Sequence, residues 1–394
     1  MKSSTKSNVP PTTAHVRIVE LGGLYAALSK LVDPRKARGK RYALALVLLL
    51  VVLAKLCGED RPYAIAQWAA AHAEYLVAAL QLSYAGMPSH NTIRRILQMV
   101  DPAILQAIEN AFLGTKEAAE RSVLIAIDGK TLRGTICTGT SQGVHLLAAF
   151  LPQESLVLAQ VAVGSKENEI VGAPKLLQCL DLRSKIVVAD AMLTQRELSE
   201  QIVGAGGHFI WLVKDNQPGV RQKIADLFEL PSCVLARDKA QAFPSVTKVN
   251  KGHGRMETRT LTASELLNGY LQWPHLGQVF RIERRFIKLN DGSIHHEVIY
   301  GLTDLTAAQA SPTELESLIR GYWNIENDLH YRRDKTLHED GTRMTLPKVA
   351  HVMATINNLV CSLILRAGWP FLPEARRHYE GHLDEALSLI LCSP

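Results

Sequence analysis

The sequence predicts an α/β protein: a mixed five-stranded sheet with flanking helices, a β-rich insertion and a helical N-terminal domain. Three observations predict it. Residues 20 to 115 carry apolar side chains three and four apart, with helical punctuation at Asp33-Pro34, Arg61-Pro62 and Pro88-Ser89. Residues 123 to 213 contain five short apolar runs. Residues 215 to 305 break into brief segments divided by Gly, Asn and Asp.

Residues 1 to 15 read as a disordered tail, with no apolar stretch of the signal-peptide kind. The most hydrophobic run, Ala43 to Ala54, is too short to span a bilayer, which takes about 20 residues. Arg38, Lys40 and Arg41 precede it and Lys55 closes it, so it is expected to be a buried core helix and no membrane partner is expected. Val123 to Ile127 is the first strand and ends at Asp128. Val144 to Leu151 and Leu156 to Val163 flank the turn Pro152-Gln153-Glu154-Ser155 and complete an antiparallel meander. Asn168 to Leu180 has helical spacing. Lys185 to Ala189 is a fourth strand ending at Asp190, Gln195 to Val203 a helix, and Phe209 to Val213 a fifth strand. Strands that alternate with helices pair in parallel. This order is the one found in ribonuclease-H-like folds, where the first and fourth strands are neighbours.

Val246 to Val249, Met256 to Leu261, Gln278 to Arg284 and His296 to Tyr300 are the strands expected in the insertion. Helix returns after Ser311-Pro312, a cap followed by a first-turn proline, and runs past Glu326. The expected domains are therefore a helical N-terminal domain at 16–118, a catalytic core at 119–214 and 306–366, the insertion at 215–305, and a C-terminal extension at 367–394.

Composition limits the function classes. With 47% hydrophobic and 21% charged residues the 394-residue chain is globular, not disordered. The net charge of +6 permits a polyanionic partner without requiring one. None of the six cysteines lies in a CxxC pair or at zinc-finger spacing, which argues against a disulfide framework or zinc site and fits a reducing cytoplasm.

Three carboxylates carry the chemistry. Asp128 and Asp190 end neighbouring strands, and Glu326 lies on the helix that packs across them. Carboxylates brought so close repel and raise one another's pKa. A divalent cation resolves that conflict, and hard oxygen ligands suit Mg²⁺ or Mn²⁺. Two such ions, about 3.5–4 Å apart, serve phosphodiester chemistry. Taken singly, Asp128 also reads as a turn residue, Asp190 as a helix cap and Glu326 as a solvated helix residue.

Asp128-Gly129-Lys130-Thr131-Leu132-Arg133-Gly134, Lys166-Glu167-Asn168-Glu169-Ile170, Ala189-Asp190-Ala191-Met192 and Trp323-Asn324-Ile325-Glu326-Asn327-Asp328-Leu329-His330 together resemble the DDE transposases of bacterial insertion sequences, in the branch that includes the H-repeat-associated proteins. Asp33-Pro34-Arg35 and Gly39-Lys40-Arg41-Tyr42 resemble the domain associated with those enzymes. The resemblance implies that Asp128, Asp190 and Glu326 form the catalytic, metal-binding triad. Related enzymes carry a Tyr seven residues before the Glu, an Arg four before it and a Lys seven after it. Here those positions are Ile319, Tyr322 and Arg333. Glu339 and Asp340 are fallback third carboxylates.

Candidate DNA-binding residues are Lys130, Arg133, Arg255, Arg259, Arg284, Arg285 and Arg333, with Trp323 to stack on an unpaired base. Arg94 and Arg95 open a helix that reads either as a recognition helix or as a bundle helix. His330 reads as helix packing. The expected activity is cleavage at element ends and strand transfer into target DNA, by a homodimer on double-stranded DNA, in a bacterial cytoplasm at the nucleoid. Two alternatives stay open: a catalytically silent DNA-binding descendant, and a ribonuclease-H-like nuclease without strand joining.

Overall fold

The computed structural model describes residues 23–139, 142–164, 167–229, 242–252 and 254–391. The expected tail at 1–15, Lys166 and His253 lie outside them. The chain divides into two compact units: residues 1–116, 133–141 and 332–394 form a helical unit, and residues 117–132 and 142–331 form a sheet unit.

The N-terminal helices are α1 (Gly23–Leu28), α2 (Leu44–Leu56), α3 (Pro62–Ala71), α4 (Ala73–Ala79), α5 (His90–Met99), α6 (Pro102–Leu113) and α7 (Thr115–Arg121). Their ends follow local chemistry. Ser89 accepts a hydrogen bond from the Thr92 amide to start α5, and Asp101 accepts from the Ala103 and Ile104 amides to start α6. Gly114, with φ of 61°, ends α6 in a left-handed turn that glycine adopts without strain. Every residue of α2 is buried, as expected of a core helix. Its one cation, Lys55, lies 3.0 Å from Asp60 Oδ1.

The sheet unit runs β1 (Leu124–Leu132), β2 (Val144–Leu151), β3 (Leu156–Val163), α8 (Glu169–Leu177), β4 (Ile186–Ala189), α9 (Arg196–Gly204), β5 (His208–Val213), α10 (Pro218–Glu229), β6 (Ser245–Gly252), β7 (Arg255–Ser264), β8 (Gln278–Lys288), β9 (Ile294–Thr303) and α11 (Pro312–Tyr322). β1, β2 and β3 form the expected antiparallel meander, and β1, β4 and β5 pair in parallel.

The five-strand expectation is corrected. One mixed sheet has nine strands in the order β3-β2-β1-β4-β5-β9-β8-β7-β6. β9 pairs antiparallel with β5, from Ile210↔Thr303 to Val213↔Tyr300. The segment expected as a separate insertion thus extends the same sheet. The physical reason is that β5 would otherwise be an edge with unpaired N–H and C=O groups, and β9 satisfies them. A single core cluster joins the two halves, from Leu124, Ala126 and Val188 through Ile210 to Leu261, Phe280 and Ile282, roofed by Leu315, Ile319 and Tyr322 of α11.

The domain limits are corrected as well. After α12 (Tyr331–Lys335), the long helix α13 (Pro347–Arg366) packs on α2, α5 and α6, followed by α14 (Leu372–Gly381) and α15 (Leu383–Leu391). Residues 332–366 therefore pack with the helical unit, apart from the sheet with which the expected core grouped them. By length and composition α13 could cross a membrane, but most of it is buried as a core helix.

Candidate active site

β1 and β4 pair in parallel from Leu124↔Ile186 to Ile127↔Ala189. The next step of that register sets Asp128 beside Asp190, just past the end of β4; the first strand was expected to stop there, but β1 runs on to Leu132 against β2. Alternation along β1 puts Asp128 on the same face as Leu124 and Ala126, the face covered by α11. Asp190 precedes a short 3₁₀ turn at Ala191–Leu193, yet its carboxylate caps nothing. It faces Lys214 just beyond β5, with Nζ 3.0 Å from Oδ1.

A capping box of Ser311 and Glu314 starts α11. The chain then widens into a π-helical turn, Ile325–His330, which buries Ile325 and Leu329 and leaves Glu326 outside the core. Such turns recur at functional sites. Burial, and next the Asp128 carboxylate with Asp190 behind it, raise the Glu326 carboxyl above the usual range. Burial pushes the Tyr322 hydroxyl far up, and Asp128, Asp190, Glu326 and Glu169 push it the same way.

A metal is implied by this set, and its fit can be tested on the donors. Asp128, Asp190 and Glu326 supply hard oxygens of the kind Mg²⁺ and Mn²⁺ take. His330 Nε2 lies 3.2 Å from Asp128 Oδ2, but neither ring nitrogen has a hydrogen-bond partner although both are buried. A buried imidazole left unsatisfied beside an aspartate fits an acidic site that receives a further group. Among the described residues, no three His, Cys, Asp or Glu side chains already stand at metal-holding positions. The donors suit the ion in kind, and the side chains have still to close on it.

Sequence reading quoted the Lys166–Ile170 motif without giving it a part. Asn168 caps α8 through the Val171 amide, so Glu169 opens that helix beside β1 and β2. Its Oε1 lies 2.9 Å from His145 Nε2, and His145 Nδ1 lies 2.8 Å from Thr131 Oγ1. A Cβ on Gly129 would overlap the Glu169 carboxylate and His145 Nε2, so the residue after Asp128 must be glycine for Glu169 to reach the strand. An acidic residue opening the helix after the third strand was the available signal. Lys214 gave one too, as a cation following the strand next to Asp190.

Residues 120–363 match the family described as the transposase DDE domain, and residues 25–113 match the one described as DDE_Tnp_1-associated. The chain belongs to the DDE transposase family. "Putative protein YbfL" of Escherichia coli is 28% identical over 355 residues, which is 88% of this chain and 91% of that protein. H repeat-associated putative transposase YhhI of Escherichia coli is 27% identical over the same shares. H repeat-associated putative transposase YbfD is 31% identical over 61% of this chain and 93% of its own length. The protein is a DNA transposase of the DDE type.

The transposase does not use all the expected DNA-binding residues alike. Arg133, Arg255 and Arg285 are exposed. Arg259 is 3% exposed and sits between Glu316 and Glu257 at 2.6 and 2.8 Å, and Arg284 pairs with Glu257 and Glu297 at 3.1 Å each. The expectation that these two hold phosphates is corrected: carboxylates of β7, β9 and α11 already occupy their guanidiniums. Adjacent residues of a strand face opposite ways, so Arg284 and Arg285 cannot share a patch. Arg284 lies 4.7 Å and Arg259 5.7 Å from the centre of the half-buried Trp323 ring, so that ring stacks on cations where a base was expected.

Lys130 is buried, against the expectation of a phosphate contact. Arg333 is wholly buried in the helical unit, bound to Glu339 at 2.9 Å and to Asn358 Oδ1 at 3.1 Å, and it too is corrected from phosphate ligand to core ion pair. Glu339 is consumed by that pair and by Asn357, and Asp340 Oδ1 accepts from the Arg133 amide. Both fallback carboxylates have structural work.

Proposed function

We propose that Asp128, Asp190 and Glu326 are the catalytic carboxylates of this transposase, on a ribonuclease-H-like core. The observation that carries the reading is the parallel register that brings Asp128 and Asp190 together under the turn bearing Glu326. The three carboxylates would hold two divalent ions of the Mg²⁺ or Mn²⁺ kind, which when bound activate an attacking oxygen and stabilise the leaving oxygen of a phosphodiester. The chain's own part is positional. β1 and β4 fix two carboxylates on a rigid sheet end, and the buried side chains of α11 fix the third. Lys214 steadies Asp190, and the His145–Glu169 pair presses against the strand beside Asp128.

The substrates proposed are double-stranded element ends, cut to free a 3′-OH, and target DNA, which that 3′-OH then attacks. The helical unit would bind the ends, two copies of the chain would bring two ends together, and the work would be done in the cytoplasm at the nucleoid. Incubating the purified protein with a duplex bearing its element end tests this. Nicking and joining are expected with Mn²⁺ and should stop with a chelator. Nicking that a chelator leaves unchanged would overturn the metal assignment, and nicking without joining would reduce the activity to that of a nuclease.

A further inference from the structure

The helical unit carries a pocket of about 220 Å³ that the chemistry above does not use. Its walls come from the start of α3, from α5, and from the segment leading into α13. Three arginines line it: Arg61, Arg94 and Arg343. No Asp or Glu lines it, and none of the three guanidiniums has an ion-pair partner among the described residues. Elsewhere in the same unit the buried arginines are answered by acids, as Arg333 is by Glu339 and Arg376 by Asp60. Arg61, Arg94 and Arg343 are all exposed around the pocket, so an anion entering it meets three guanidiniums that no carboxylate occupies.

We propose that this pocket receives a backbone phosphate of DNA. His90, Arg94 and Gln98 lie four residues apart along one face of α5, and His90 meets the exposed Tyr63 ring edge-on at 5.5 Å. Arg61 is held in place by its Nη2, which donates to the Gly341 carbonyl at 3.3 Å. Guanidiniums, the Thr345 hydroxyl and an imidazole are the donors that phosphate oxygens take. The volume is below the ~300–1,000 Å³ of sites for drug-sized ligands, so it suits one anionic group projecting from a larger molecule. The aromatic and apolar rim of Tyr63, Met344 and Leu346 suits the adjoining sugar. The inference rests on the reading that the protein acts on DNA, and it turns α5 from a reader of bases into a holder of backbone.

The experiment measures binding of a fluorescent end duplex and of an unrelated duplex across a salt series. It uses the full-length protein and the R61A/R94A/R343A variant. Each lost phosphate contact should flatten the log–log slope by about 0.9, for both duplexes alike. Arg94→Glu, a change on an exposed helix face, repeats the test should the triple variant unfold, and Arg94→Lys should restore part of the slope. Equal slopes in wild type and variants would overturn the proposal. Wild-type protein that binds no duplex would instead overturn the DNA reading itself, and the pocket with it. Melting curves with inorganic phosphate form a second arm: loss of phosphate stabilisation without loss of DNA binding would mean that the pocket serves a free anion, against the proposal.

Discussion

Two ends of one sheet handle charge in opposite ways. Where β4 stops beside β1, like charges are gathered: Asp128 and Asp190 act on Glu326, and Lys214 pairs with Asp190 and His330 with Asp128. Across β7 and β8, opposite charges are interleaved. Arg259 stands between Glu257 and Glu316, Lys248 lies 2.5 Å from Glu316, and Arg284 bridges Glu257 and Glu297. The first arrangement sets like charges against one another, which under the proposed function a divalent cation would relieve. The second is complete within the protein. Charge that is left uncompensated marks where a partner is bound, whereas charge that is compensated marks structure.

The largest effect separating the two ends is on chemistry. Asp128→Asn, Asp190→Asn and Glu326→Gln should each reduce end nicking by at least about 10²–10³-fold, the scale on which loss of one transition-state-stabilising group is felt. The melting temperature should stay the same or rise, because a repelling charge has gone. Any one of these variants nicking at the wild-type rate would remove that residue from the site.

The next effect is on stability at the other end. Arg259→Ala takes one of two cations from each of the buried Glu316 and Glu257, leaving Lys248 and Arg284, and should cost up to about 3–5 kcal/mol in urea unfolding, as loss of one partner of a buried pair does. Nicking per folded molecule should hardly change. A drop in nicking with no loss of stability would put Arg259 back among the DNA ligands.

The pH dependence sharpens the contrast. Burial pushes the Glu316 carboxyl up, but Lys248 and Arg259 beside it more than offset this and hold it below the usual range. Glu257 is likewise lowered, by Arg259 and Arg284. A carboxylate with a depressed folded-state pKa adds stability above its unfolded value of about 4.3, and that stability is lost as pH falls through the folded value. Glu316→Gln should therefore melt well below wild type at pH 7, with the gap closing as the pH drops under 4. A gap of constant size would show that packing, not charge, holds this end together.

The smallest effect concerns the cations that stay exposed on β7 and β8. Arg255 lies 5.0 Å from the centre of the Phe286 ring, and Arg285 points to the opposite face. Neither has an ion-pair partner among the described residues. Changing both to Ala should flatten the salt slope of DNA binding by at most about 1.8, at about 0.9 per contact. No change would leave β6 to β9 with a structural role only.

Much of this was legible in the residues. Asp128 and Asp190 could be singled out because apolar runs stop at them, although β1 continues past Asp128 to Leu132, and the strand limits at 144–151 and 156–163 agree with the structure. What could not be read was pairing over long distance. Strand patterning showed β6 to β9 as strands, but it carries no signal that β9 would lie beside β5. Nothing in the sequence says that Pro347–Arg366 packs among the N-terminal helices. The cations failed for the same reason. Arg259 and Arg333 have the same side chain as Arg255, and only the fold sets a glutamate against each. Glu169 was visible as a letter, but its part depends on His145 across the sheet.

The central claim, that the three carboxylates Asp128, Asp190 and Glu326 are the catalytic ones, is met most directly by anomalous diffraction from crystals of the wild-type protein soaked in Mn²⁺. Anomalous density is expected within ligand distance of Asp128, Asp190 and Glu326. Mn²⁺ bound only at other carboxylates, with those three left untouched, would contradict it.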